Sequence, residues 1–200
     1  MEELDDTALM LRYRDGDMRA FECLYQRHKT ILYRYLQRMC KQPEMANDVF
    51  QEVWSKVIAQ RDRYEVRAQF KTFLYTIARN AALDMFRRHR AEHINDWTDI
   101  DDQANQLQDG SLSPETEAVT TQLKQDLKLE LQKLPAAQRE AFLLFEEAEL
   151  DLHEIAAITD TSMETVKSRL RYAVNKLRAA LHHHRPDHHP GHALTSGGTS

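Results

Sequence analysis

TSMETVKSRLRYAVNKLR, Thr161 to Arg178, is a basic stretch in a chain of 200 residues with a formal net charge of −5. Val166, Leu170, Val174, Leu177 and Leu181 recur three and four residues apart, which puts them on one face of a helix. Thr165, Lys167, Ser168 and Arg171 fall off that face and point outward. Just upstream, Asp151 caps the helix LHEIAAIT, with Glu154 at the spacing of a capping box. TDT makes a short turn, and Thr161 with Glu164 repeats the capping spacing. Two helices joined by so short a turn form a helix-turn-helix, whose second helix enters the major groove with its N-terminal residues leading. Arg and Lys there reach guanine edges or phosphates. The competing reading is a solvated basic face.

Working outward, charge is segregated along the chain. Arg61, Arg63, Arg67, Lys71, Arg79, Arg87, Arg88 and Arg90 outweigh Asp62, Glu65 and Asp84. From Ala91 to Ala118 the charged residues are Glu92, Asp96, Asp99, Asp101, Asp102, Asp109, Glu115 and Glu117, without a Lys or Arg. Two basic blocks thus flank an acidic connector, which net charge averages away. The connector holds QDGSLSP, a cluster of helix breakers, so a domain boundary is expected there.

The N-terminal half reads as helices throughout. Phe21, Leu24, Tyr25, His28, Leu32, Tyr35, Leu36 and Met39 form one stripe. Pro43 opens a helix carrying Val49, Val53 and Val57, and Phe70, Leu74, Ile77, Ala78, Ala81 and Met85 form a third apolar face. Further on, Ser113 and Pro114 suit a helix start, and Leu134-Pro135 breaks the helix they open. Five Gly and five Pro leave little turn material for strands. The expected fold is all-α: two small helical domains, residues 1–90 and 113–181, joined by a flexible acidic linker, 91–112. The His-, Pro- and Gly-rich tail, 182–200, is expected to be disordered.

Composition also excludes classes. Hydrophobic residues make up 42% of the chain and charged residues 30%, enough to build cores in a water-soluble fold. No apolar run approaches the ~20 residues needed to cross a bilayer. The acidic start has no apolar signal core, so export is not expected and the cytoplasm is the expected location. Cys23 and Cys40 match no common zinc spacing and are expected as core or half-buried thiols. With no Gly-rich phosphate loop, zinc-protease pair or nucleophile beside a base, neither an enzyme nor a cofactor nor a metal is expected.

The residues together resemble a known family. LPAAQREAFLLF…EIAAITDTSMETVKSRL is similar to region 4 of bacterial sigma factors of the extracytoplasmic-function (ECF) group. DVFQEVW (Asp48–Trp54) resembles their region 2.2, FKTFLYTIARNAALDMFRRHR (Phe70–Arg90) regions 2.3 and 2.4, and GDMRAFECLYQRH (Gly16–His28) their opening helices. The motifs stand in the family's order from Asp5 to Leu181.

The resemblance implies a transcription initiation factor of stress-response type. It binds core RNA polymerase and directs it to promoter DNA, with region 2 on the minus 10 element and region 4 on the minus 35 element. An anti-sigma factor is the expected inhibitor. Asp48, Gln51, Glu52 and Trp54 are implied as polymerase contacts; Trp54 lies one residue from the Val stripe, so core packing is its alternative. Lys71, Tyr75, Thr76, Arg79, Asn80, Arg87 and Arg88 lie opposite an apolar stripe and suit a single strand, cations meeting phosphates and flat groups meeting bases. Alternatively Tyr75 packs and the arginines touch only phosphate. The loop Gln60–Gln69 is implied to help hold a flipped base. Thr165, Lys167, Ser168, Arg169, Arg171 and Tyr172 are implied at the minus 35 element. The connector is implied to thread toward the polymerase active-site cleft.

Four departures stand out, the first being the order Arg171-Tyr172, where the common pattern has Arg at the second position, which bears on the minus 35 contacts and on Tyr172 above all. Phe73 replaces a usual Trp. Glu149 replaces a usual Gly, so the helix before it is expected to run on. Glu164 also stands where Gly is common, with capping as its expected role and accepting from a cytosine amino group as the alternative. The rival functions are a helix-turn-helix regulator, which has no use for DVFQEVW, and a sigma-like decoy that does not initiate transcription.

Overall fold

The computed structural model describes residues 4–40, 42–66, 68–92 and 125–181. Most of the acidic connector, the Ser113 cap and the His-rich tail lie outside them. The described residues are helical apart from turns and caps. None of their helices is long and apolar enough to cross a membrane.

Asp5 caps α1 (Asp6–Arg14), its carboxylate accepting from the Ala8 N–H at 2.7 Å. The chain turns at Gly16, whose φ of +104° favours glycine, and the Asp17 N–H reaches the Arg12 carbonyl at 2.9 Å. Asp17 then caps α2 (Met18–Met39) through the Arg19 N–H at 3.0 Å. On α2 the buried set is Ala20, Leu24, His28, Leu32, Tyr35, Leu36 and Met39, one stripe as the spacing predicts. Pro43 is the first residue of α3 (Pro43–Ala59), and Val49, Val53 and Val57 are fully buried. A single 3-10 turn, Arg61–Arg63, leads toward α4 (Phe70–Glu92). The first two residues assigned to the connector, Ala91 and Glu92, continue α4.

One polar contact ties the start of this bundle to its centre. The His28 Nε2 lies 2.6 Å from the Asp6 Oδ2, and the Arg27 guanidinium donates to Oδ1 at 2.7 Å. Burial pushes the Asp6 carboxyl upward, but the hydrogen bonds and charges of His28 and Arg27 outweigh it and hold the group below its usual range.

The second module starts in a helix, α5, over residues 125–132. Pro135 precedes α6 (Ala136–Glu146), and α7 (Leu152–Thr159) and α8 (Met163–Ala180) form the helix-turn-helix. The Asp151 capping box forms as expected: Asp151 accepts from the N–H groups of His153 and Glu154, and Glu154 accepts from the Asp151 N–H.

Two local expectations need correction. The helix before Glu149 does not run on; α6 ends at Glu146, and Glu149 takes the left-handed conformation usual for Gly, φ 52°. The cap of α8 is Ser162 rather than Thr161. The Ser162 hydroxyl accepts from the Thr165 N–H at 3.2 Å, so Glu164 lies in the exposed first turn with no part in a capping box. Thr161 instead shares a hydroxyl contact with Thr159 at 3.0 Å. Both cysteines are free thiols, Cys40 buried and Cys23 half-buried.

The modules touch. α6 packs on α2 and α7 on α4, and the buried apolar residues of both modules join in one continuous cluster. Reading the sequence as two units on a tether gave no reason to expect this.

Candidate nucleic-acid and polymerase interfaces

α3 presents the first surface. Asp48 and Gln51 are exposed and Glu52 is half-buried. Glu52 accepts from Lys56 at 2.7 Å and from Arg88 at 3.3 Å. The Lys56 hydrogen bond, with the charges of Lys56 and Arg88, outweighs burial and holds the Glu52 carboxyl below its usual range, so it stays anionic. Trp54 does not share this surface. It is 6% exposed and packs edge-on against Phe21, Tyr25 and Phe50, with ring centroids 5.8, 4.9 and 6.4 Å away. The reason lies in helix geometry: one residue past Val53 turns the side chain from the bundle axis to the α2 edge, where Phe21 and Tyr25 wait. These two sat in the α2 stripe, but the spacing did not pair them with Trp54.

α4 presents the second surface. Asn80, Arg87 and Arg88 are exposed, while Lys71, Thr76 and Arg79 are half-buried. Arg87 pairs with Asp84 on its own helix at 3.2 Å. Thr76 donates back to the Thr72 carbonyl at 2.7 Å. Tyr75 is 1% exposed and stacks edge-on with Tyr35 at 5.2 Å, and burial holds its phenol well above the usual range. Here, then, the ring packs.

Beside the first turns of α4 the loop that follows α3 encloses a cleft of about 480 Å³. Tyr64 and Phe73 stand edge to face in its wall, 5.2 Å apart, with Thr72 and Thr76 supplying hydroxyls and Arg63 a cation. Flat rings, hydroxyl oxygens and a guanidinium are groups that receive an unstacked base and its phosphate; here Phe73 is the more open ring, with Tyr64 3% exposed, and both threonine protons are already given, to Glu154 and the Thr72 carbonyl. Phe73 thus keeps an aromatic surface where a Trp is usual. The loop was expected to matter, but nothing in its spacing singled out Tyr64.

α8 presents the third surface. Lys167 and Arg171 are exposed, Tyr172 is 55% exposed, and Thr165, Ser168 and Arg169 are half-buried. The Arg171 guanidinium lies over the Tyr172 ring, 5.5 Å from its centroid. The Arg171-Tyr172 order therefore sets the cation over the neighbouring ring on the exposed side of α8. Ser162 and Thr165 share a hydroxyl contact at 2.9 Å, which ties Thr165 to the helix start.

Between the second surface and the second module runs a set of polar contacts that the sequence did not announce. The Arg79 Nε donates to the Glu140 Oε1 at 2.9 Å, and Thr72 donates to Glu154 at 2.9 Å. Lys71 donates to the Ala148 carbonyl at 3.3 Å. Arg38 pairs with Glu147, joined by Arg34 at 3.4 Å. Burial pushes the Glu140 carboxyl up despite the charges of Arg79, Arg169 and Arg139 around it. The partners in these pairs lie 61 to 113 positions apart, from Arg79–Glu140 to Arg34–Glu147, beyond the reach of any local pattern.

Comparison with known proteins places both modules. Residues 24–92 match the family described as Sigma-70 region 2, and residues 124–177 match Sigma-70, region 4. The sigma factor CarQ of Myxococcus xanthus is 33% identical over 172 residues, which is 86% of this chain and 95% of that protein. The ECF sigma-E factor of Escherichia coli is 30% identical over 173 residues, covering 84% of this chain and 90% of that one. Among solved structures, the sigma factor RpoE in complex with the anti-sigma factor NepR, from Bartonella quintana, aligns with a TM-score of 0.66 at 28% identity. That alignment covers 80% of this chain and 98% of the other.

Proposed function

This chain belongs to the ECF group of the sigma-70 family, and from that premise we propose how its three surfaces divide the work of promoter selection. It is a transcription initiation factor: it binds core RNA polymerase and directs it to promoters. An anti-sigma factor is among its expected partners, as with the similar RpoE. Its relatives are sigma factors, and we read the chain as a non-enzymatic factor that works in the cytoplasm.

On this reading Asp48, Gln51 and Glu52 meet polymerase, with Trp54 holding α3 in place from behind. Lys71, Thr76, Arg79, Asn80, Arg87 and Arg88 follow the minus 10 strand, with the Tyr64–Phe73 cleft taking a base turned out of the stack. Base extrusion costs a few kcal/mol, which contacts in such a cleft must recover. Tyr75 supports this face from beneath. Thr165, Lys167, Ser168, Arg169, Arg171 and Tyr172 read the minus 35 duplex. We place the acidic connector between the two promoter elements as a tether that avoids DNA.

The observation that carries the reading is the pairing, in one chain, of a helix-turn-helix with exposed Lys167 and Arg171 and a separate cationic face beside an aromatic cleft. A regulator needs the first and has no use for the second. Runoff transcription with purified core enzyme on genomic templates tests it. Promoter-dependent transcripts are expected; their absence from every template would favour a decoy.

A further inference from the structure

The two cationic faces of this molecule stand in opposite states. On α8, Lys167, Arg171 and Tyr172 are exposed to solvent. On α4, the donors nearest the aromatic cleft already have acceptors, and those acceptors come from the second module. Lys71 holds the Ala148 carbonyl at 3.3 Å, Thr72 holds Glu154 at 2.9 Å and Arg79 holds Glu140 at 2.9 Å. Behind them, Arg38 and Arg34 of α2 both grip Glu147.

This row of carboxylate and carbonyl oxygens offers Lys, Thr and Arg donors what a sugar-phosphate strand offers them. Glu140 is 6% exposed and the Glu147 side chain 9%, so the acids are buried, while the Arg38 and Arg34 side chains that hold Glu147 keep more water, at 26% and 49%. Paired charges out of water hold only as a set, because a lone one left behind is strongly unfavourable. Reversing one member should therefore part the modules rather than weaken them by degrees. The polymerase-facing residues Asp48 and Gln51 remain exposed on α3, as do Asn80, Arg87 and Arg88 on α4, while the part of the α4 face from Lys71 to Arg79 is covered.

We propose that α6 and α7 form an internal cover for the strand-binding face of α4, with Glu140 and Glu154 standing in for DNA and Glu147 clamping the cover shut through Arg34 and Arg38 of α2. A single strand then binds only when the modules part. This rests on the assignment of α4 as the single-strand surface. The apparent Kd is the intrinsic Kd divided by the open fraction, so a chain open about one time in ten gains about tenfold when forced open.

The test uses the full chain and a fluorescein-labelled single-stranded oligonucleotide of mixed sequence, read by anisotropy at fixed salt, with small-angle scattering on the same samples. Glu147→Lys places an ammonium against Arg34 and Arg38. Glu146→Lys makes the same charge change at the exposed neighbouring residue. Arg38→Glu with Glu147→Lys restores an opposed pair. Expected are about tenfold tighter strand binding and a larger radius of gyration for Glu147→Lys. Glu146→Lys should stay within about twofold of the parent, and the double variant should return toward it in both readouts.

Equal tightening by Glu146→Lys would reduce the effect to net charge and overturn the cover. So would an unchanged Glu147→Lys. If Glu147→Lys misfolds by circular dichroism, scattering from the parent decides: expansion on strand binding supports the cover, and binding without expansion overturns it. Normal runoff transcription alongside any of these negative results sinks the cover alone. Loss of transcription and of strand binding in every variant sinks the function with it.

Discussion

The α4 and α8 faces are built from the same materials, yet one is occupied and the other is not. Both are amphipathic helices with cations opposite an apolar stripe. α8 packs on α6 and α7 of its own module and leaves Lys167 and Arg171 in water. α4 lies where acidic residues of a second module reach it. A basic helix in a sequence therefore shows where cations are, and the rest of the fold determines whether they are free. Charge segregation along a chain does not predict this, because Glu140 and Glu154, which reach α4 among the described residues, lie outside the acidic connector.

The sharpest way to break the comparison is on α3, which is open at Asp48 and Gln51 yet hides Trp54. Trp54→Ala should cost about 3–5 kcal/mol of stability by opening a void among Phe21, Tyr25 and Phe50. Urea unfolding measures it. A stable Trp54→Ala protein that has lost polymerase would return the ring to the interface.

Next in size is a direct contrast between the faces. Lys167→Ala or Arg171→Ala should weaken binding to a minus 35 duplex by about 1–3 kcal/mol, in free chain and holoenzyme alike. Arg79→Ala should weaken minus 10 binding in the holoenzyme but change the free chain far less, since removing Arg79 also loosens the contact with Glu140. Gel shifts on free chain and holoenzyme give both numbers. An equal loss in both forms for Arg79→Ala would mean that α4 is not covered.

A smaller effect isolates the first module from the docking. Asp6 is held below its usual carboxylate range in the folded chain, so its contribution is present above about pH 4 and is lost as pH falls through the lowered value. Asp6→Asn should destabilise by about 1–2 kcal/mol near neutral pH. The gap to the parent should close at strongly acidic pH, as urea midpoints across the pH range would reveal. A gap constant with pH would assign the loss to packing instead.

Much of this was legible in the sequence because it is local. The Val49, Val53 and Val57 stripe, Pro43 at the head of α3 and the Asp151–Glu154 box are patterns within one or two turns, and each took its expected place. The α8 cap slipped by one residue because Thr161 and Ser162 both carry a suitable hydroxyl. Only backbone angles, extended at Ser162, decide between them. The turn at Glu149 is not legible in the sequence, because a left-handed residue that is not Gly leaves no mark in composition. Trp54 and Tyr75 were read with alternatives open, since helical position alone does not say which neighbour is waiting.

The continuous cluster of buried residues has its own consequence for how such a chain behaves when alone. Tyr35 and Tyr75 meet edge to face within a cluster that also holds Leu131, Leu143 and Leu144 of the second module. Prising the halves apart wets oily surface as well as freeing ions. Water would resist that swing, and a copy left ajar with nothing to lean on would be adhesive. Opening is therefore best done in the arms of something large enough to dry the exposed patch again.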